Sequence, residues 1–213
     1  MKSFDSTLYF ITDSTGFEEN EFLYRIESAL QGGVTLMQLR EKEKSTRDYL
    51  SLAQKVHKLA QKYNVPLIID DRIDIAMAAD AEGVHLGQSD LPIAVARQIL
   101  GDGKIIGATA KTVPQALEAY RQGADYLGVG AIYPTTTKVV TIRTSTDTLR
   151  DICAAVPIPV NAIGGLNKDN IHILKGIPIA GICAVSSIMK SDNPQHAAQK
   201  LEKAFLHLKG ENL

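Results

Sequence analysis

Residues 105–130 read IIGATAKTVPQALEAYRQGADYLGVG, and this stretch decides the fold. It opens on a short apolar run, 105–108, passes into a helical segment that starts near Val113 and stops at Gly123, and closes on a second apolar run, 126–129. Glycine at the end of a helical segment is a common stop, because it takes the left-handed conformation without a steric penalty. A strand, a helix and a strand in that order make a right-handed crossover unit of a parallel sheet.

The same alternation runs outward in both directions. Toward the N-terminus the apolar runs are 8–12, 35–39, 67–70 and 83–86; toward the C-terminus they are 160–163 and 181–185. With the first two, that makes eight, each short and mostly uncharged, as strands buried on both faces of a parallel sheet should be. Helical stripes lie between them: Phe22, Ile26, Ala29 and Leu30 over 18–31, and Leu50, Ala53, Val56 and Ala60 over 46–63, where Thr46 is placed to cap the start. Further helices are expected to begin near Asp74, Pro92, Thr146, Asn167 and Asn193. Eight strand–helix units in one small domain, 1–213, favour closure into a (β/α)8 TIM barrel. An open doubly wound sheet usually has fewer strands and a glycine-rich dinucleotide turn. Here Gly128 and Gly130 are followed only by Ala131, Ile132 and Tyr133. One segment resists the pattern: 133–145, YPTTTKVVTIRTS, reads as a long polar connection suited to a lid over an active site.

Bulk properties exclude several classes. A chain of 213 residues with 45% hydrophobic and 22% charged residues has ordinary globular composition. Its net charge of −1 gives no field favouring nucleic acid or an anionic membrane, so any anion site must come from local clustering. Cys153 and Cys183 have no metal-type spacing and suit reduced thiols in the cytoplasm; Cys183 lies in an apolar run and reads as buried. Asp5 interrupts any signal-peptide core, and no run reaches membrane-spanning length. The outer helices carry no clear interface signal, which leaves a homo-oligomer open.

In such barrels the reactive groups stand at the carboxyl ends of the strands. After the second run comes Gln38-Leu39-Arg40-Glu41-Lys42, and alternation puts Gln38, Arg40 and Lys42 on one side. An amide and two cations there suit a polyanionic substrate, although a charged cluster opening a helix would look the same. After the third and fourth runs come Asp70-Asp71-Arg72 and His85-Leu86-Gly87-Gln88-Ser89-Asp90. Carboxylates from adjacent strand ends can share Mg2+ with substrate phosphates; Asp71 and Asp90 taken singly also suit helix N-caps. His85 reads as a hydrogen-bonded structural residue. Thr109 offers a hydroxyl after the fifth run, and Thr135, Thr136, Thr137 and Lys138 offer three hydroxyls and a cation on the lid. After the last two runs, Gly164-Gly165 and Val185-Ser186 sit where backbone amides at helix N-termini form a phosphate site. Gly165 would admit a phosphate close to the main chain. These are two anion sites: one with metal ligands for a diphosphate, one without for a monophosphate. Two small phosphorylated substrates are implied.

In combination these motifs resemble thiamine-phosphate synthases. The matching elements are Q-L-R-x-K (38–42), I-I-x-D ending at Asp71, H-x-G-Q-x-D (85–90), G-x-[ST]-A (107–110), T-x-T-K (135–138), Gly164-Gly165 and Val185-Ser186, in family order over nearly the whole chain. The resemblance implies a TIM barrel that condenses 4-amino-2-methyl-5-hydroxymethylpyrimidine diphosphate with a thiazole monophosphate, giving thiamine phosphate and pyrophosphate. Gln38, Arg40, Lys42, Asp70, Thr109 and Lys138 would hold the pyrimidine diphosphate, with Arg40, Lys42 and Lys138 drawing off the leaving group. Asp71 and Asp90 would bind Mg2+, and Thr135–Thr137, Gly165, Val185 and Ser186 would hold the thiazole phosphate. Two positions depart from the family pattern: Asp70 stands where Asn is usual, and Thr109 where Ser is. The implied chemistry is dissociative, with pyrophosphate leaving a ring-stabilised pyrimidine-methyl cation. Two other readings remain: a related barrel that tautomerises the thiazole phosphate through a histidine, and a non-catalytic barrel that binds phosphorylated metabolites.

Overall fold

The computed structural model describes residues 4–134 and 143–210. Eight parallel strands run in sequence order around a closed barrel. They are β1 (Leu8–Ile11), β2 (Leu36–Leu39), β3 (Leu67–Asp70), β4 (Gly83–Leu86), β5 (Ile105–Ala110), β6 (Tyr126–Gly130), β7 (Val160–Ile163) and β8 (Gly181–Ala184). Closure comes from β1 pairing with β8, Tyr9 opposite Cys183. The helices outside are α1 (Glu19–Gln31), α2 (Thr46–Lys62), α3 (Ile73–Ala78), α4 (Ile93–Leu100), α5 (Val113–Arg121), α6 (Thr146–Ala155), α7 (Ser186–Met189) and α8 (Pro194–Lys209). Among the described residues no helix is long and apolar enough to cross a membrane.

All eight apolar runs are strands, within two residues of the expected ends. Two expectations need correction. Ser45, not Thr46, caps α2, because its side chain accepts from the Asp48 amide while Thr46 is already helical. The helix expected from Asn167 does not form. Instead the Asn167 and Asn170 side chains satisfy backbone amides of the turn, and only a short 3₁₀ segment, Ile171–Leu174, follows. Asn side chains that bond nearby backbone compete with the helical pattern.

Strand alternation divides the core into two layers. Outward residues such as Leu8, Phe10, Met37, Leu39, Leu67 and Ile69 pack against the helices, joined by Phe22, Ile26, Val56 and Phe205. Inward residues Tyr9, Ile11, Leu36, Ile68, Ile105, Tyr126 and Cys183 fill the barrel. Tyr126 and His85 fit inside a small barrel because glycines face them. A Cβ on Gly107 would lie 2.1 Å from Tyr126 Cζ, and one on Gly128 would lie 3.2 Å from His85 Cε1. At the floor, Asn161 donates to Ser6 O (2.8 Å) and accepts from Ser6 Oγ (3.1 Å), sealing the amino ends of the strands. Arg97 of α4 donates to the Gly101, Lys104 and Gly123 carbonyls and to Asp125, tying the α4, β5 and α5 ends together. Cys153 and Cys183 are free thiols.

Because the Tyr126 ring cannot retreat from a filled interior, Gly107→Ala should destabilise by about 2–3 kcal/mol, the usual cost of overpacking. For a chain of this size that lowers Tm by roughly 6–10 °C in a thermal melt. An unchanged Tm would contradict the packing described.

Candidate active site at the barrel mouth

Adjacent strand ends bring the predicted charges together. Arg40 and Lys42 follow β2, Asp70 ends β3 and Asp71 follows it. Lys42 Nζ lies 2.8 Å from Asp70 Oδ2 and also bonds the Asp71 carboxylate. Arg40 Nε lies 3.7 Å from Asp70 Oδ2. Across to the loop after β4, Asp71 and Asp90 share a side-chain hydrogen bond. The five groups form one continuous cluster of two cations and three carboxyls.

Neither Asp71 nor Asp90 is a helix cap. The N-cap positions of α3 and α4 are Arg72 and Pro92, with no side-chain cap at either. Asp71 instead has a left-handed backbone, φ 60°, costly for a residue with a Cβ, while its amide still bonds His85 O at 2.9 Å. That bend carries the chain over the end of β4 and sets the Asp71 carboxyl toward Asp90. Asp90 Oδ2 accepts from the Gly87 amide at 2.6 Å, folding its loop back onto the mouth.

The electrostatics separate the carboxyls. Burial, then the Asp71 charge, raises the pKa of Asp70, and its bonds to Lys42 and the nearby Arg40 only partly offset this. Asp71 is also penalised by burial, but bonds from Lys42 and Asp90 win and hold it below the usual carboxylate range. Asp90 is raised, by burial and by sharing its bond with Asp71. Burial opposes the Lys42 ammonium, yet hydrogen bonds to both aspartates raise its pKa. A neighbouring pair with opposite shifts behaves as two carboxyls around one proton. Two carboxyls this close offer oxygens of the kind a hard divalent cation takes. Among the described residues no group of three or more His, Cys, Asp or Glu forms a protein cage. Mg2+ does not ask for one, since it commonly takes one or two carboxylates and completes its shell with water and substrate phosphates.

Beneath this cluster runs a polar chain that sequence reading passed over. Gln38, 2% exposed, donates from Nε2 to Tyr9 Oη at 2.6 Å. The Tyr9 and Tyr126 hydroxyls are 2.7 Å apart. Tyr126 Oη lies 3.1 Å from His85 Nδ1, and His85 Nε2 lies 2.9 Å from Thr109 Oγ1. Tyr9 and Tyr126 sit in apolar runs and look like core filler. The available signal was phase, because both occupy the inward-facing positions of their strands.

On the far side, β7 and β8 end in Gly164-Gly165 and Val185-Ser186. Gly164 and Gly165 have φ of 105° and 64°, and a Cβ on Gly165 would lie 2.8 Å from Pro134 O. The glycine pair is therefore demanded by close packing against the loop after β6, whatever else it admits. Val185 is half-buried and Ser186 exposed, while Ser187 Oγ is buried without a partner among the described residues. With only a 3₁₀ segment between β7 and β8, and only four residues in α7, a helix-dipole contribution to this site is small. Thr135, Thr136, Thr137 and Lys138 lie outside the described residues. The far end of their loop is anchored by Arg143 Nε to Ile132 O and Thr144 N to Ala131 O, both 2.9 Å.

Residues 8–188 match the family described as thiamine monophosphate synthase. The chain is 48% identical to the thiamine-phosphate synthase of Methanobrevibacter smithii over 96% of its length and 98% of that protein. It is 51% identical to that of Enterococcus faecalis, over 91% and 92% of the two chains. The structure of thiamine phosphate pyrophosphorylase from Pyrococcus furiosus superposes with a TM-score of 0.85 at 38% identity, covering 95% of this chain and 96% of that one. A barrel with its charged residues gathered at the carboxyl ends of the strands, aligned end to end with such relatives, belongs to the thiamine monophosphate synthase family.

Proposed function

We propose that this protein is a thiamine-phosphate synthase, which joins a pyrimidine-methyl diphosphate to a thiazole monophosphate and releases pyrophosphate. The observation that carries the reading is the mouth cluster, in which Arg40, Lys42, Asp71 and Asp90 meet at one rim. The free thiols suit a reducing compartment, the cytoplasm.

In the reaction, the bond between the pyrimidine methylene carbon and the diphosphate oxygen breaks, and its electron pair leaves with pyrophosphate. The thiazole nitrogen then gives its lone pair to that carbon, forming thiamine phosphate. Nothing in this sequence needs a protein nucleophile, so the chain's work is positioning and charge compensation. Asp71 and Asp90 would hold Mg2+, which when bound neutralises charge on the departing diphosphate. Arg40 and Lys42 exchange carboxylate partners for phosphate oxygens, with Lys138 supplying a third cation from the loop. Asp70 adds negative charge relative to Asn, and Arg40 and Lys42 meet it only in part, since burial still raises its pKa. Gln38 and Thr109 contact the pyrimidine diphosphate from the barrel side. Gly165, Val185 and Ser186, with Thr135–Thr137, take the thiazole phosphate, where the buried Ser187 hydroxyl, without a partner among the described residues, is a further donor.

The tautomerase reading fits less well, because that chemistry has no use for a carboxylate pair beside two cations.

The direct check is to mix the purified protein with both substrates, with and without Mg2+, and oxidise any thiamine phosphate to its fluorescent product. Product is expected only when the metal is present; none under any condition would sink the proposal. Asp71→Ala should retain the wild-type melting temperature and lower kcat by about 100-fold or more, and near-normal turnover would remove Asp71 from the metal site.

A pH dependence follows from the shared proton. Asp90 is raised and Asp71 lowered, so the pair still holds a proton above the pH at which an ordinary aspartate has lost it. Mg2+ must displace that proton, so affinity should weaken as pH falls through the raised Asp90 range, by up to about tenfold per unit. Calorimetric Mg2+ titrations at descending pH would read this, and a flat profile would exclude the shared proton.

A further inference from the structure

We infer that Tyr9 and Tyr126 are positioning residues: with Gln38, His85 and Thr109 they form a one-way hydrogen-bond chain that holds His85 as its Nε2-protonated tautomer and turns the Thr109 hydroxyl hydrogen toward the diphosphate substrate. This inference deepens the proposed synthase reading and rests on it for the substrate's identity.

The direction follows from counting hydrogens. An amide nitrogen only donates, and a tyrosine hydroxyl has a single hydrogen. Gln38 Nε2 donates to Tyr9 Oη at 2.6 Å, so the Tyr9 oxygen accepts there. Among the described residues the other hydrogen-bond partner of Tyr9 is Tyr126 Oη at 2.7 Å, so Tyr9 donates to Tyr126. Tyr126 then spends its own hydrogen on His85 Nδ1, 3.1 Å away. A ring that accepts at Nδ1 carries its hydrogen at Nε2, and it donates to Thr109 Oγ1 at 2.9 Å. Thr109, having accepted, has its hydrogen directed away from the ring, toward the mouth. Running the middle of the chain backwards would set the Tyr9 hydrogen against amide hydrogens. With Tyr9 and Tyr126 at 1% and 0% exposure, solvent offers that hydrogen no alternative partner.

Packing makes the chain rigid. The Tyr126 ring stands edge-on to Tyr9, centroids 5.7 Å apart, and to Phe4 at 5.6 Å. Gly107 and Gly128 leave the space that the Tyr126 and His85 rings take up. The two ends, Gln38 and Thr109, lie on β2 and β5, which do not pair with one another. The tyrosines thus link two substrate-facing groups that the sheet itself keeps apart, and fix which of them donates. A preoriented donor needs no rearrangement when an anion arrives.

The first test reads the chain without any substrate. Long-range ¹H–¹⁵N correlation spectra, with the His85 signals identified by their loss in His85→Gln, should show the Nε2-protonated pattern in the wild-type protein. In Tyr126→Phe the His85 Nδ1 resonance should move to the value of an unbonded ring nitrogen. The second test is kinetic. Tyr126→Phe and Tyr9→Phe, which keep the rings, should each raise KM for the pyrimidine diphosphate by about tenfold and leave KM for the thiazole phosphate unchanged. An Nδ1-protonated ring in the wild type, or KM values that do not change or rise together for both substrates, would overturn the inference. Absence of any thiamine phosphate from the wild type would instead count against the synthase reading, and the spectra would still decide the chain.

Discussion

The pairing of β1 with β8 is the constraint on which the rest depends. It removes both sheet edges, and it also fixes the interior volume, because a ring of eight strands has room only for the side chains that point inward. Every polar group in that interior must then find a partner within it. Tyr9, Tyr126, Gln38 and His85 do so in one chain, and Asn161 does so with Ser6 at the floor. The small residues that make this feasible, Gly107 and Gly128, sit on β5 and β6 beside the groups they accommodate.

Closure also places the ends of β2, β3 and β4 side by side, and the chemistry of the mouth is a consequence. Three carboxyls and two cations share a space that none could occupy alone. Burial decides the state of Asp70, while for Asp71 its partners outweigh burial. That difference comes from geometry: Asp71 receives bonds from both Lys42 and Asp90, whereas Asp70 meets the cations on one side only and Asp71 on the other. The cluster is thus balanced by contacts within the chain itself. The left-handed backbone at Asp71 is strain held in the fold to create that balance.

Much of this was legible beforehand. The eight apolar runs marked the strands because strands buried on both faces tolerate no charge. The polar clusters followed those runs because the carboxyl ends open on solvent. Arg40, Lys42, Asp71 and Asp90 were found by type and position, and the helix-cap alternative for both aspartates falls to the actual caps, Arg72 and Pro92. Local competition defeated the reading at two points. Ser45 and Thr46 are chemically equivalent as caps, so only the backbone dihedrals separate them. The turn at Asn167 is stabilised by side chains that a periodicity argument does not weigh. Gly165 reads in the sequence as room for a phosphate beside the main chain, whereas the contact that demands a glycine there is Pro134, far away in sequence.

By itself, then, the sequence determined the barrel, the end of it that carries chemistry, and the family, because hydrophobic periodicity and motif order are local properties of the chain. The tertiary structure alone decided which charges touch, which aspartates have their pKa raised and which lowered, and that two tyrosines in apolar runs are polar links rather than filler. Those outcomes depend on distances between residues separated by tens of positions along the chain, such as the 117 between Tyr9 and Tyr126, and on desolvation, which exists only once the interior has closed.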